Sequence, residues 1–474
     1  MNHYQQKGSF LQNICFYHLE ISCGKYKVEK TIQVTMLTTN RRVGVENMLL
    51  KISQNNNVKK VIYANRNGGT HQNAQILPTE IDKLVQYAKE KELFTVVGPV
   101  PLSLGIVDTF NSYDLPIFGP TKSAARLETS KDFSKQFMTR HSIPTSEFKV
   151  FTDAEKATDY VERINFNAVI KADGLAAGKG VFVSNNKTEA MDAIDQLLNK
   201  KIFGPASDKI IVEKKISGEE VSLIAICDGE TFMIMDTCRD HKRVFDDDLG
   251  PNTGGMGSYS PVPEIGESDL NYISDKVFKP AVNGMRAEGN PFQGFLYAGI
   301  MIEKHTGKPF VLEFNARMGD PECQPLMMRM KSDLFEYIKA AENKSLDSMQ
   351  PIMWKDKFST CVIMTSKGYP DKYETGYTIR GLGKAPDKYE TGYPIGGLGK
   401  PPDNEIMIFH SGTKLNQDNE LVTSGGRVLG ITSLGRSIDE AMNKSYQIVR
   451  EISWGDNQQH YRTDIGRKGL NPDK

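Results

Sequence analysis

Apolar runs and helically spaced apolar positions alternate from the front of the chain. Val34-Thr35-Met36-Leu37 and Val61-Ile62-Tyr63-Ala64 read as strands, and 46–53 between them carries helical spacing. Thr79 then stands as a cap before a helix whose apolar face is Ile81, Leu84, Val85 and Ala88, at i, i+3, i+4 and i+7. Phe94-Thr95-Val96-Val97 follows as a buried strand ending at Gly98-Pro99. This alternation predicts a parallel α/β domain with ligands at the carboxyl ends of its strands.

Farther along, Pro116, Gly119 and Pro120 punctuate the chain ahead of a predicted helix over 123–141. Short strands dominate from 168 to 315, with helices near 189–198 and 269–285. From about 333 onward a helix mixes with strands around 361–364, 406–410 and 428–432. The stretch 370–384 (PDKYETGYTIRGLGK) nearly repeats as 386–400 (PDKYETGYPIGGLGK). Two copies cannot build a solenoid, so the repeat reads as a tandem duplication lengthening a surface loop.

Composition narrows the choices. At 474 residues the chain exceeds one hydrophobic core, so two to four domains are expected. Lys+Arg and Asp+Glu both number 59, which removes any global electrostatic reason to expect nucleic acid or membrane as a partner. Charged substrates must therefore be met by local sites. The six cysteines include no CxxC pair and no metal-ligand spacing, which fits reduced thiols. No stretch approaches the roughly 18 apolar residues of a membrane helix, and 1–30 lacks the apolar core of a signal peptide. The cytoplasm is the expected location.

Four segments carry candidate chemistry. Lys171-Ala172-Asp173-Gly174-Leu175-Ala176-Ala177-Gly178-Lys179-Gly180 follows the apolar run 168–170; its small residues let backbone N–H groups approach phosphate oxygens, and Lys171 and Lys179 supply charge. It is not a Walker loop, since GxxxxGK[ST] is absent. Glu213-Lys214-Lys215-Ile216-Ser217-Gly218-Glu219-Glu220 closes a strand at a polar corner, where backbone groups can meet an adenine edge and a carboxylate a ribose. In the third segment Glu313 and Asn315 sit two apart, so a strand puts both on one face, a donor pair that suits Mg²⁺ with phosphate oxygens. Arg317 beside them can hold a carboxylate or phosphoryl group, and Asp320 lies in the turn that follows. The fourth combines Asp240-His241-Lys242-Arg243, suited to an anionic substrate, with Asn252-Thr253-Gly254-Gly255, suited to close backbone approach. Each segment alone has a plainer reading as a glycine-rich hairpin, a charged turn, a solvated strand end or a surface loop. Nothing in the sequence supports a Ser/His/Asp nucleophile system or a zinc site.

Together, in this order, the segments resemble the ATP-grasp fold, and their wording is similar to the glycinamide ribonucleotide synthetase family. The matching strings are IFGPTKSAARLETSKDFSKQFMTRHSIPT, KADGLAAGKGV, SGEEVSL, DHKRVFDDDLGPNTGGMGSYSP, LYAGIMIE and LEFNARMGDPECQ, followed by SKGYP, FHSGT, TSGGRVLGIT and YRTDIG. The resemblance implies a multidomain α/β enzyme: an extra segment over 1–30, an N-terminal parallel α/β domain over 31–120, an ATP-grasp domain over 121–335 with a small lid subdomain at about 145–215, and a mixed α+β domain over 336–474 that carries the duplicated loop 370–400. It implies a ligase that joins glycine to phosphoribosylamine through a glycyl phosphate, with ATP and Mg²⁺ or Mn²⁺. A monomer or homodimer is expected. By matching position, Lys131 and Lys171 meet ATP phosphates, Glu213, Lys214 and Ile216 hold adenine, and Glu220 meets the ribose. Gly178, Lys179 and Gly180 belong to a loop over the phosphates. Glu313 and Asn315 bind the metal with Glu303 as a further ligand, and Arg317 steadies the transferring group.

Departures concentrate at the front. A GSGGREHA-like loop is replaced by Thr38-Thr39-Asn40-Arg41-Arg42-Val43-Gly44-Val45-Glu46, a PGNAGT turn by Asn65-Arg66-Asn67-Gly68-Gly69-Thr70, and GPE by Gly98-Pro99-Val100. These keep two other readings open: an ATP-grasp carboxylate–amine ligase with a different acceptor, or a nucleotide-binding remnant.

Overall fold

The computed structural model describes residues 14–17, 19–21, 32–39, 48, 51–52, 54–55, 58–61, 76–77, 79–91, 93–176, 179–381 and 405–470. The altered stretches 40–46 and 65–70, residue Gly178 and the second repeat copy 386–400 lie outside the described residues.

The first sheet runs Val58–Val61, Leu19–Ile21, Ile32–Thr39, Leu93–Val97, Ile117–Phe118, with Ile14–Tyr17 also on Ile32–Thr39. Its right half is parallel as expected, with Ile32–Thr39, Leu93–Val97 and Ile117–Phe118 in sequence. The left half is antiparallel and takes strands from the segment ahead of residue 30, so the sheet is mixed. All five residues of Leu93–Val97 are buried, as a central strand covered on both faces requires. Leu84, Val85 and Ala88 of the helix Ile81–Lys91 are buried in the same core, while Ile81 is only partly so.

Two antiparallel four-stranded sheets come next. The smaller runs Phe148–Phe151, Ile210–Lys214, Ala168–Ala172, Val181–Ser184, and the larger Phe232–Ile234, Gly218–Asp228, Gln293–Glu303, Pro309–Asn315. In the strand Gly218–Asp228 the period of two divides the side chains: Val221, Leu223, Ala225 and Cys227 enter one core, Ile224 and Ile226 the other. The expected single helix over 123–141 is broken at Ser130, whose extended backbone and Oγ, accepting from Phe133 N at 3.2 Å, begin a new helix at Lys131–Arg140. That break places Lys131 in a first helical turn.

A third sheet of six strands crosses the expected boundary near 335. Its order is Arg239–Asp240, Gly257–Ser260, Phe358–Ser366, Arg427–Gly435, Ile406–His410, with Gln459–His460 on Phe358–Ser366. The glycine-rich segment between 240 and 257 thus begins and ends in this sheet, and its Gly257–Ser260 end pairs with the C-terminal strand Phe358–Ser366. Ser437 caps the helix Ile438–Glu451 that packs on this sheet, its Oγ accepting from Glu440 N at 3.1 Å. Among the described residues no helix is long and apolar enough to cross a membrane.

Leu223 is fully buried and points away from Glu220 and Ser222. Leu223→Ala should cost about 2–5 kcal/mol, read as a lower denaturation midpoint. An unchanged midpoint would contradict the two-core assignment.

Candidate active site

A cleft of about 390 Å³ lies between the two four-stranded sheets. Strands from both sheets end at it, which is why residues more than a hundred positions apart meet there. One wall is apolar, formed by Val169, Val181, Val183, Ile216, Met301 and Leu312. That surface suits a flat heterocycle, and Lys214 and Ile216 from the polar corner lie along it.

Beneath this wall a buried carboxylate organises two lysines. Glu213 stands 2.6 Å from Lys171 Nζ and 2.8 Å from Lys135 Nζ, and Ser146 Oγ donates to it at 2.8 Å. Burial alone would raise the Glu213 pKa, but Lys171 and Lys135 together hold it below the usual range. Burial pushes Lys135 down to about 8 against the pull of Glu213. Glu213, expected at the adenine, is therefore engaged as a counter-ion, while Lys171 also donates to Leu312 O at 3.1 Å. Lys135 and Ser146 were not singled out in the sequence; the i+4 spacing of Lys135 from Lys131 was the available signal.

At the far end Glu313 and Asn315 share a face of the strand Pro309–Asn315, as the period of two demands, with Asn315 Nδ2 donating to Glu313 Oε1 at 3.4 Å. Burial would raise the Glu313 pKa, yet Lys242, Lys171, Lys131 and Arg317 outweigh it and hold it at about 2. Arg317 Nη2 donates to Asn315 Oδ1 at 3.1 Å, and Nε to Glu128 Oε1 at 3.0 Å. The buried Glu128 also accepts from Ala316 N at 2.7 Å, so it fixes both the turn and the guanidinium. Its sequence context carried no sign of this role.

The glycine-rich segment forms the third side. Lys242 pairs with Glu220, the residue expected at the ribose. Asn252, Thr253, Gly254, Asp240 and Arg243 all line the cleft, and Thr253 Oγ1 donates to Lys242 O at 2.8 Å. Gly255 has φ +106°, and a Cβ there would stand 2.3 Å from Pro321 Cδ, so the residue type is set by both conformation and space. The C-terminal part supplies Arg427, which donates to Gly254 O and, at 2.6 Å, to Asp320 Oδ2, and Tyr369, whose hydroxyl accepts from Gly254 N at 3.0 Å.

Several expected site residues sit elsewhere. Glu303 lies at the tip of a hairpin, four residues beyond Gly299, the partner of Glu313, and its carboxylate is used by His305 N and by Thr306 N and Oγ1. This arrangement does not make it a metal ligand. His241 is buried behind the cleft with neither ring nitrogen hydrogen-bonded, and burial, with Arg462 adding to it, lowers its pKa to about 4. It is thus neutral and unsuited to binding an anion. Lys179 Nζ donates to Pro370 O at 2.7 Å instead of lining the cleft, and Gly180 packs tightly on Ala176 and Ala172. Lys131 Nζ donates to Gly174 O at 3.3 Å and stays near enough to Glu313 to stabilise its charge.

Comparisons with known proteins place this geometry. Models described as phosphoribosylglycinamide synthetase N domain, ATP-grasp (A) domain and C domain match residues 44–128, 129–323 and 359–468. The chain is 44% identical over 427 residues to the phosphoribosylamine–glycine ligase of Escherichia coli K12, covering 89% of this chain and 95% of that protein; the Vibrio vulnificus CMCP6 enzyme gives the same figures. A solved phosphoribosylamine–glycine ligase from Thermotoga maritima superposes with a TM-score of 0.66 at 32% identity, over 78% of this chain and 85% of that one. Biotin carboxylase from Campylobacter jejuni shares the fold alone: TM-score 0.61, 17% identity, 83% and 82% coverage.

The His241 environment sets a pH dependence. Its folded pKa of about 4 lies below the ordinary value of about 6.5, so the unfolded chain binds the extra proton between them and stability falls as pH drops through that window. Across it, His241→Leu should flatten the dependence of the denaturation midpoint by about one proton. Parallel curves for both proteins would show that His241 is not held neutral.

Proposed function

The chain belongs to the phosphoribosylglycinamide synthetase family, and from that membership we propose how its own residues carry out the reaction. The activity is that of a phosphoribosylamine–glycine ligase: ATP, glycine and phosphoribosylamine give glycinamide ribonucleotide, ADP and phosphate, a step of purine biosynthesis. A glycine carboxylate oxygen attacks the γ-phosphorus, and the bond to the bridging oxygen breaks with its electron pair leaving on ADP. The phosphoribosylamine nitrogen then attacks the acyl carbon, phosphate departs, and the nitrogen loses a proton.

The observation that carries the residue assignment is the convergence of Lys171, Lys242, Glu313, Asn315 and Arg317 at one end of a cleft whose other wall is apolar. ATP lies with its base against Val169, Val183, Ile216, Met301 and Leu312, bonding the backbone at Lys214 and Ile216, and with its phosphates toward Lys171 and Lys131. Glu220, paired with Lys242, stands at the ribose side. Glu313 and Asn315 fit Mg²⁺ or Mn²⁺, because a carboxylate ionised down to about pH 2 and an amide oxygen on one strand face leave positions for phosphate oxygens. Glu313 and Asn315 would hold such an ion, which would supply positive charge to offset that of the phosphates. Arg317, pre-set by Glu128, faces the carboxylate and the transferring group. The domains expected from the sequence, a cytoplasmic location and a monomeric or homodimeric state belong to the same reading.

Purified protein with Mg-ATP should release ADP only when both glycine and freshly generated phosphoribosylamine are present. Glu313→Ala should lower that turnover at least about 1,000-fold, the scale of losing a group that neutralises charge in the transition state, while nucleotide binding persists. Turnover within a few-fold of the parent would remove Glu313 from the metal site.

A further inference from the structure

In the string Lys171-Ala172-Asp173-Gly174 the lysine is accounted for by Glu213 and the phosphate end of the cleft, but the aspartate is not. Asp173 stands just beyond the strand Ala168–Ala172, outside the lining of the cleft. Its contacts run instead to the start of the helix Lys131–Arg140. Asp132 N donates to Asp173 Oδ1 at 2.7 Å, Ser130 Oγ donates to the same oxygen at 3.1 Å, and Lys131 N donates to Asp173 O at 3.1 Å. Three consecutive residues, with Lys131 in the middle, are therefore bonded to one aspartate. Ser130 Oγ in turn accepts from Phe133 N, so the first three amides of the helix, which no helical carbonyl reaches, are all met. A carboxylate at this end also meets the positive end of the helix dipole.

The joint is braced from two further directions. Lys209 Nζ stands 3.3 Å from Asp173 Oδ2 and 2.6 Å from Asp132 Oδ2. Asp173 N donates to Ala206 O and Lys209 O, both at 3.1 Å, which ties the aspartate to the chain at 206–209. Lys131 feels this bracing at both of its ends. Its backbone is held by Asp173, and its ammonium donates to Gly174 O, the next residue, at 3.3 Å. Lys171 has separate anchors in Glu213 and Leu312 O, so a disturbed helix start displaces Lys131 and leaves Lys171 in place.

We infer that Asp173 is a positioning residue for ATP: by capping the helix Lys131–Arg140 it fixes where the Lys131 ammonium stands against the nucleotide phosphates. The inference rests on the reading of Lys131 as a phosphate contact.

The test is a double-mutant cycle read as KM in the ADP-release assay. Lys131→Met should raise the ATP KM about tenfold or more, the loss of a charge-assisted contact. Asp173→Ala should raise it about fivefold, the scale of losing a helix cap, while the glycine KM stays within about twofold. Added to Lys131→Met, Asp173→Ala should change the ATP KM by less than about twofold, because no ammonium is left to place. Asp173→Asn keeps an acceptor for Asp132 N and loses the charge, so its ATP KM should fall between those of the parent and Asp173→Ala. It decides by the same comparison if Asp173→Ala fails to fold. Losses that multiply in the double variant would overturn the inference, as would equal rises in the glycine and ATP KM or a folded Asp173→Ala with unchanged ATP KM. An unchanged ATP KM in Lys131→Met would instead sink the reading of Lys131 at the phosphates and the inference with it, a result distinct from multiplied losses, which sink the inference alone.

Discussion

Glu213 is the point on which the cleft depends. Two lysine ammonium groups, one on the helix Lys131–Arg140 and one on the strand Ala168–Ala172, close on a single carboxylate that is almost wholly removed from water. Leaving either ammonium unbalanced at that depth costs about 3–5 kcal/mol. Lys135 extends the network to Thr145 and Ser146, and Thr145 Oγ1 donates to Val311 O at 2.7 Å. Val311 lies on the strand that carries Glu313. One buried charge cluster therefore ties the smaller sheet, the capped helix and the strand Pro309–Asn315 into a single register.

The C-terminal strands perform a similar service on the opposite side. Because Gly257–Ser260 pairs with Phe358–Ser366, the glycine-rich segment hangs from a sheet completed by the far end of the chain. Arg427 then reaches Gly254 O and both the backbone and carboxylate of Asp320. A Cβ at Gly255 would meet Pro321, so segment and turn are in direct contact where Arg427 joins them. The cleft is thus a joint product of two regions that the sequence places on either side of residue 335.

How much of this could be read beforehand varied with the physics. Period-two placement of Glu313 and Asn315 needed only the strand geometry, and the apolar runs at 94–97 and 168–170 are strands as expected, the first wholly buried. Gly255 and Lys171 were legible because their demands are local: space, φ and charge next to a strand end. Glu128, Lys135, Ser146 and Arg427 were not, since each acts through a partner between 67 and 189 residues away in the chain or on another sheet. His241 and Glu303 show the reverse error. A histidine among basic residues suggested anion binding, but its ring is buried with neither nitrogen hydrogen-bonded; the family resemblance offered Glu303 as a further metal ligand, but the Thr306 turn holds its carboxylate. The break at Ser130 was visible only as a serine at the head of an amphipathic run, which a continuous helix can also contain.

The ion pairs of the cleft are made before any ligand enters. Lys242 is already set by Glu220, Arg317 by Glu128 and Asn315, and Lys171 by Glu213, so these groups need no reorientation when negative charge develops on a transferring phosphoryl group. Pre-set charges are worth more in a site that excludes water, and an acyl phosphate, once formed, survives there longer than in solvent. A chain that commits its cations in this way leaves few groups free to respond to substrate. Left open is the Glu313–Asn315 pair, whose carboxylate and amide oxygens suit a metal ion with phosphates.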